Sequence, residues 1–235
     1  MTEHVNDTSA TPSTPTPSDY PPVTYLTMAY EAVNTRHAII NAIEQVYPDE
    51  GEKTIVLIHQ SPAIKLTSSQ IKIVNVYVDG VWPALWLAKL EAFVKVADPN
   101  SIAVWWDEDD MFESTYTMSA VIPIRHHGAV GAWTDKTFYV KKGAIVPGTY
   151  PRSNGTLAVK VDALRAVVPE VRKIHPQGHR IKNGLVLTVD PTLVKVLGER
   201  YGDKMVDHKG MRYYFMRSGG NGGPRRAGKG VNVDE

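Results

Sequence analysis

The first half of the chain alternates between short apolar runs and segments whose apolar residues recur every three or four positions. Four apolar runs rich in β-branched and aromatic residues predict strands, at residues 23–29, 54–59, 71–78 and 102–106. Segments at about 35–46 and 83–97 predict helices, because their apolar side chains fall on one helical face. This alternation is typical of an α/β fold, in which helices flank a mostly parallel central sheet.

The second half of the chain has a less regular pattern. Apolar runs predict strands at residues 129–140, 157–161, 181–189 and 211–216. Helical spacing predicts helices at 162–168 and 192–201, the second of which ends at Gly202. We therefore expect one domain over residues 23–217, with a mixed second half.

The two ends of the chain differ in composition from this domain. Residues 1–22 are rich in Thr, Ser and Pro and lack the apolar surface that ordering requires, which predicts a disordered tail. Residues 218–235 are rich in Gly and include Arg225, Arg226 and Lys229, which predicts a flexible basic tail.

The overall composition excludes several classes of protein. A formal net charge of +1 creates no strong field towards nucleic acid or membranes. The chain has no cysteine, which excludes disulfide frameworks and thiolate metal sites. No apolar run approaches the ~18 residues of a membrane span. The N-terminal residues lack the basic and apolar regions of a secretory signal, so we expect a cytoplasmic protein.

The strand predicted at 102–106 ends in four acidic residues, Asp107, Glu108, Asp109 and Asp110. Clustered carboxylates repel one another unless a cation lies among them, and Mg²⁺ and Mn²⁺ prefer such oxygen ligands. In parallel sheets, ligands bind beyond the carboxyl ends of the strands. Polar residues also follow the other predicted strands, at Tyr30, Glu31, Gln60, Ser61 and Asp79. This convergence favours a metal site over the alternative of a solvated acidic turn.

These features resemble the GT-A fold of nucleotide-sugar glycosyltransferases, particularly the large family-two type. Asp107, Asp109 and Asp110 match the D-x-D or D-x-D-D motif of that family. The resemblance implies a nucleotide-binding half at 23–112, an acceptor half at 113–217, and a nucleoside diphosphate sugar as donor, with UDP favoured. It implies donor contacts from Ala29, Tyr30, Glu31, Arg36, Gln60, Lys89, Asp107 and Arg212. The acid that the family has after its second strand is missing, because His59, Gln60 and Ser61 occupy that place.

The resemblance also assigns roles in metal binding and catalysis. Asp109, helped by Asp107, would hold Mn²⁺ or Mg²⁺, and His208 would complete the coordination. Asp110 would orient the metal's water ligands or the sugar. Asp190 is the first candidate for the base of an inverting reaction, and Glu170 is the second. A retaining mechanism stays open.

The acceptor and two other functions also stay open. A glycan, a small molecule or a modified DNA base would serve as acceptor, with Trp82 and Trp133 as platforms for it. A nucleotidyltransferase is disfavoured, because residues 30–36 are not the Gly-rich basic loop of that class. A non-enzymatic nucleic-acid-binding protein is disfavoured by the near-zero net charge and the acidic cluster.

Overall fold

A computed structural model describes most of the domain in twelve stretches. They are residues 20–29, 32–48, 51–61, 65–80, 84–134, 137–141, 144–147, 154–176, 180–182, 185–187, 189–208 and 213–216. The helices are α1 (Ala32–Ile43), α2 (Leu85–Val96), α3 (Tyr116–His126), α4 (Val161–Ile174) and α5 (Val189–Tyr201). The strands are β1 (Val23–Ala29), β2 (Lys53–His59), β3 (Lys72–Tyr77), β4 (Ile102–Trp105), β5 (Met111–Phe112), β6 (Gly131–Thr134), β7 (Thr137–Lys141), β8 (Ala144–Pro147), β9 (Leu157–Lys160), β10 (Arg180–Lys182), β11 (Leu185–Leu187), β12 (Met205–His208) and β13 (Tyr213–Met216).

A seven-stranded sheet with the order β12-β6-β9-β4-β1-β2-β3 forms the centre of the domain. β1 pairs in parallel with both β4 and β2, and β3 continues the parallel set. β9 is antiparallel to both of its neighbours, β4 and β6, while β12 is parallel to β6. Six of these seven strands therefore run in the same direction, which confirms the predicted mostly parallel α/β sheet.

The two faces of the sheet are covered by different helices. Leu26 and Met28 of β1 face a core formed with α2, α4 and α5. Val23 and Tyr25, at alternate positions on the same strand, face a second core formed with α1 and α3. This alternation follows from the pleat of a strand, which directs successive side chains to opposite faces.

A smaller sheet lies beside the large one, with the order β5-β13-β7-β8. The chain passes from the large sheet to the small sheet three times, between β4 and β5, between β6 and β7, and between β12 and β13. The acidic residues 107–110 make up the first of these passages. A separate hairpin joins β10 to β11.

Several elements differ from the prediction. α3 and the short strands β5, β8 and β12 were not predicted, and the strand expected at 181–189 is the β10–β11 hairpin followed by the start of α5. The helix expected to end at residue 168 continues through Pro169 to Ile174. Val171, beyond the proline, is fully buried in the core, and this burial offsets the hydrogen bond that proline removes.

Residues 20–22, just before the predicted boundary at residue 23, contact the rest of the domain. The Tyr47 hydroxyl donates to the Pro21 carbonyl at 2.5 Å, and the Ile102 amide donates to the Pro22 carbonyl at 2.9 Å. The Tyr20 and Tyr47 rings meet edge to face at 5.8 Å. Residues 1–19 and 217–235, where the two tails were predicted, lie outside the described residues. In the described part of the chain, the helices are too short or too polar to cross a membrane.

Candidate functional site

The carboxyl ends of the six co-directional strands lie along one edge of the large sheet, which we call the carboxyl edge. Their last residues are Ala29, His59, Tyr77, Trp105, Thr134 and His208. The β4–β1 ladder extends one residue further, because the Trp106 amide donates to the Leu26 carbonyl at 2.9 Å. The first acid follows at position 107, so the acidic run begins at the carboxyl edge, as the sequence predicts.

The four acids form a turn and are not equivalent, although the sequence presents them as one cluster. The Asp110 amide donates to the Asp107 carbonyl at 3.4 Å, which closes the turn. Asp109 is exposed and Asp107 is half-buried, whereas Glu108 and Asp110 are 7% and 4% exposed. The turn therefore presents Asp107 and Asp109 towards solvent and directs Glu108 and Asp110 inwards.

Glu108 connects the acidic turn to two helices. Its Oε2 accepts a hydrogen bond of 2.8 Å from Oγ1 of Thr35, which is fully buried on α1. The Lys89 side chain on α2 is fully buried as well, and burial lowers its pKa to about 8, while the Glu108 charge opposes this shift. Nothing in the local sequence distinguishes Glu108 from the acids on either side of it. The buried position of Lys89 does not test the prediction that this residue contacts the sugar donor.

Asp110 lies between α1 and α3. Its carbonyl accepts a long hydrogen bond of 3.5 Å from Asn41 Nδ2 on α1. Burial raises the pKa of the Tyr116 phenol well above its ordinary range, and the charges of Asp107 and Asp110 add to this effect. Asp110 is thus close enough to α3 to affect the ionisation of Tyr116. Its proposed role towards metal-bound water or the sugar stays a prediction.

The ends of β2 and β3 lie at the carboxyl edge, separated from the acidic turn after β4 by strand β1. His59 is 3% exposed, and among the described residues neither ring nitrogen has a hydrogen-bond partner of normal geometry, although the Ser61 backbone is near enough to oppose the lowering of its pKa. Burial lowers the pKa of this imidazole, and the Lys89 charge adds to the effect, which favours the neutral ring. Gln60 is exposed, and its Nε2 donates to the Gly80 carbonyl at 2.8 Å. Gly80 follows β3 and has a φ of 152°, a conformation that favours glycine at this point of the chain.

The backbone also places two distant predicted residues at the carboxyl edge. His208 is the last residue of β12 and pairs in register with Thr134. Asp190 belongs to the first turn of α5, which starts at residue 189 and not at the predicted 192. Oγ1 of Thr192 in that turn lies 2.6 Å from Nε2 of His175. His175 directly follows the last residue of α4, and the first residue of α4 lies beside β9. The side chains of Asp190 and His208 are outside the described residues, and their roles stay predictions.

The remaining predicted donor residues divide into two groups. Ala29 is buried and pairs in register with His59, while Arg36 is exposed on α1. Tyr30, Glu31 and Arg212 are outside the described residues. The acceptor platform proposed at Trp133 is wrong, because this side chain is 3% exposed and belongs to the core beneath α4 and α5. Trp82 is outside the described residues.

The carboxylates of the acidic turn fit a metal ion that also takes ligand atoms from a bound substrate. Within the described stretches, no three His, Asp or Glu side chains are grouped so as to hold an ion by themselves. Mg²⁺ in phosphate-binding sites takes one or two carboxylates and completes its shell with water and phosphate oxygens. Asp107 and Asp109, the two acids that reach solvent, provide two such carboxylates.

The fold is the GT-A type α/β fold of nucleotide-sugar glycosyltransferases. Residues 1–349 of S. aureus TarS share it, with a TM-score of 0.59 and 12% identity over 83% of this chain and 60% of that chain. The same TarS fragment in complex with UDP-GlcNAc has a TM-score of 0.56 and 14% sequence identity, over 85% of this chain and 60% of that chain. The mannosyltransferase PcManGT from Pyrobaculum calidifontis, in complex with GDP-Man and Mn²⁺, has a TM-score of 0.53 and 14% sequence identity. The match covers 86% of this chain and 59% of that chain.

This chain therefore spans about three fifths of the length of the solved structures that it resembles. No family profile matches the sequence, and no curated protein sequence matches it significantly. At identities of 12% to 14%, the similarity establishes the architecture and leaves activity to be argued from the residues of the site.

Proposed function

We propose that this chain is a metal-dependent glycosyltransferase that moves a sugar from a nucleoside diphosphate sugar to an acceptor hydroxyl. The acidic turn at the carboxyl end of β4 supports this function most directly, because it exposes Asp107 and Asp109 at the ligand-binding edge of a GT-A sheet. Proteins that share this architecture have been solved with UDP-GlcNAc and with GDP-Man and Mn²⁺.

In this proposal the acidic turn binds the donor diphosphate through a divalent cation. Asp109 is the main ligand because it is the most exposed of the four acids, and Asp107 assists it. The bound metal supplies Lewis-acid stabilisation of the charge that grows on the leaving diphosphate. Gln60 and Arg36, both exposed near this edge, are available to contact the nucleotide. UDP is the nucleotide that we favour.

The base that activates the acceptor hydroxyl is Asp190 in this proposal. Glu170, the other candidate, forms an ion pair with Arg200 on the surface between α4 and α5. This contact occupies a carboxylate oxygen of Glu170, which makes it the weaker candidate for accepting the acceptor's proton. Asp190 has the advantage of position, since its backbone lies in the first turn of α5 close to the carboxyl edge.

Thermal unfolding with UDP, GDP and CDP, each with and without Mn²⁺, tests donor binding. We expect one nucleotide to raise the Tm only when the metal is present, because a ligand that binds the folded state stabilises it by mass action. Asp109→Asn should abolish this shift and leave the ligand-free Tm within about 2 °C of the parent, since exposed substitutions have small effects.

Asp203→Asn is the matched control for this experiment. Asp203 is an exposed acid in the 3-10 turn before β12, at the opposite edge of the sheet. It should retain the full metal-dependent shift. If Asp109→Asn also retains it, the metal assignment is wrong. If no nucleotide stabilises the parent protein with or without metal, the proposed donor is wrong.

A further inference from the structure

Two aromatic rings close the acidic turn at its base. Trp106 immediately precedes the four acids, and Phe112 follows them after Met111. The two rings are stacked, with centroids 3.7 Å apart and planes inclined by 12°. The five residues 107–111 therefore form a loop whose two ends are held together by the stacked rings of Trp106 and Phe112.

The Trp106 side of this stack is fixed to the large sheet and to α1. Its ring is fully buried, and Nε1 donates to the Ala38 carbonyl at 2.9 Å. Its amide extends the β4–β1 ladder, and the Tyr25 ring packs against it at 4.8 Å. These contacts leave Trp106 little freedom to move independently of the sheet.

The Phe112 side is fixed to the small sheet and to α3. Phe112 is in β5, which is antiparallel to β13, and it pairs in register with Tyr213. The Phe112 ring also meets the Tyr116 ring edge to face at 5.0 Å. The stack thus joins the two sheets at the point where the chain passes from one to the other.

We propose that Trp106 and Phe112 are positioning residues whose stacking fixes the acidic turn so that Asp107 and Asp109 point outwards together. This inference rests on the proposed function, in which those two carboxylates share a metal. Four neighbouring carboxylates repel one another, and without a closure the turn would open and separate the two ligands. A turn that is already in its binding conformation loses less entropy when the metal and the diphosphate bind.

The rival explanation is that the stack is ordinary packing of the core that contains α1 and α3. Loss of packing alone would lower the Tm and leave ligand affinity unchanged in the molecules that remain folded. A positioning role predicts weaker binding at a temperature where the variant is fully folded. It also predicts faster amide hydrogen exchange that is confined to the acidic turn.

Three variants separate these explanations. Phe112→Leu removes the stacked ring, and Phe112→Tyr retains it, because the partly exposed Phe112 leaves room for a hydroxyl to reach solvent. Phe93→Leu is the matched control, since Phe93 is fully buried on α2 in the other core. Should Phe112→Leu fail to fold, Phe112→Met removes the same ring with less loss of volume.

The measurements are amide exchange over residues 107–111 and the affinity for Mn²⁺ plus UDP by calorimetry. We expect Phe112→Leu to lose protection from exchange in that segment and to weaken binding about tenfold, because the turn must then be ordered when the ligands bind. The affinity of Phe112→Tyr should stay within about twofold of the parent. Phe93→Leu should have a lower Tm, with amide exchange over residues 107–111 and affinity unchanged.

Equal exchange over residues 107–111 in Phe112→Leu and Phe93→Leu would overturn the inference. So would equal affinities for the two variants. If the parent protein binds neither Mn²⁺ nor any of UDP, GDP and CDP, the proposed function fails by that measurement alone. The exchange comparison then decides independently whether the stack orders the turn.

Discussion

Lys89 is the clearest case in which a single residue is perturbed by its surroundings. A lysine in an unfolded chain has a pKa near 10.5, whereas burial lowers the pKa of Lys89 to about 8 in the folded protein. The Glu108 charge on the acidic turn opposes this shift. The charged ammonium is therefore retained at neutral pH at a cost in stability, inside a protein interior that disfavours it.

We predict that this cost disappears as the pH rises. Below about pH 8, Lys89 is charged in both the folded and the unfolded protein, and the penalty is fully present. Between about pH 8 and 10.5 the folded protein has lost the proton while the unfolded chain still binds it, so stability increases with pH. Relative to Lys89→Met, the wild-type protein should gain about 2 kcal/mol between about pH 7.5 and 9.5.

Urea unfolding of the two proteins across this pH range provides the measurement. The comparison with Lys89→Met removes the contributions of other groups, which titrate alike in both proteins. Parallel stability curves would show that Lys89 has an ordinary pKa and that its environment is more polar than its burial indicates.

At the scale of elements, the end of α1 is joined to the start of α3 by one buried amide side chain. Gln45, 4% exposed, accepts hydrogen bonds of 3.0 Å from both the amide and the hydroxyl of Thr117. Its Nε2 donates to the Glu113 carbonyl at 2.9 Å. These bonds fix the direction in which α3 leaves the small strand that follows the acidic turn.

We predict that Gln45→Ala lowers the free energy of unfolding by about 2–4 kcal/mol. The substitution removes the three hydrogen bonds that the Gln45 side chain makes with Thr117 and Glu113, and it opens a cavity. Gln70→Ala, at an exposed position before β3, should change stability by less than about 0.5 kcal/mol. Chemical denaturation measures both values, and similar losses in the two variants would contradict the prediction.

Helix α3 was not predicted because its local sequence signals are weak. Pro123 interrupts the pattern of residues 116–126, and the average polarity of the segment is unremarkable. Burial of Tyr116, Val121 and Ile124 against the sheet stabilises the helix, and that surface exists only after the strands have assembled. Tertiary packing therefore overrides a weak local preference.

At the scale of the whole molecule, β6 lies between β9 and β12, which come from later parts of the chain. Gly131, the first residue of β6, has almost no free space around it. A Cβ at that position would lie 2.9 Å from the Ala158 carbonyl oxygen and 2.6 Å from Met205 Cε. The methionine can move, but the carbonyl is part of the sheet.

We predict that Gly131→Ala destabilises the protein by about 1–3 kcal/mol, as expected for overpacking. Gly198→Ala is the opposite case, because Gly198 lies in α5 and a Cβ there meets none of the described residues within 4 Å. That substitution should stabilise the protein by roughly 0.5–1 kcal/mol, since alanine favours a helix over glycine. Thermal unfolding distinguishes the two signs, and a stabilised Gly131→Ala would show that the three strands are less closely packed.

Strands β1, β2 and β4 could be predicted because each is a continuous apolar run that is largely buried on both faces of the sheet. Residues 54–59 and 102–106 are examples, and the structure places β2 and β4 there with small shifts at their ends. Such runs need no partner to be recognised. Their direction in the sheet follows from the helices between them, which also brings the acids after residue 106 to the carboxyl edge.

The sequence by itself determined the class of fold and the end of the sheet at which chemistry is expected, because both depend on local patterns of apolar and acidic residues. Only the tertiary structure decided which acids face outwards. It buries Glu108 with a hydrogen bond from Thr35 and within the electrostatic reach of Lys89, and it leaves Asp109 exposed. Side-chain direction in a turn depends on what the neighbouring helices can bury and bond, and those helices are distant in sequence.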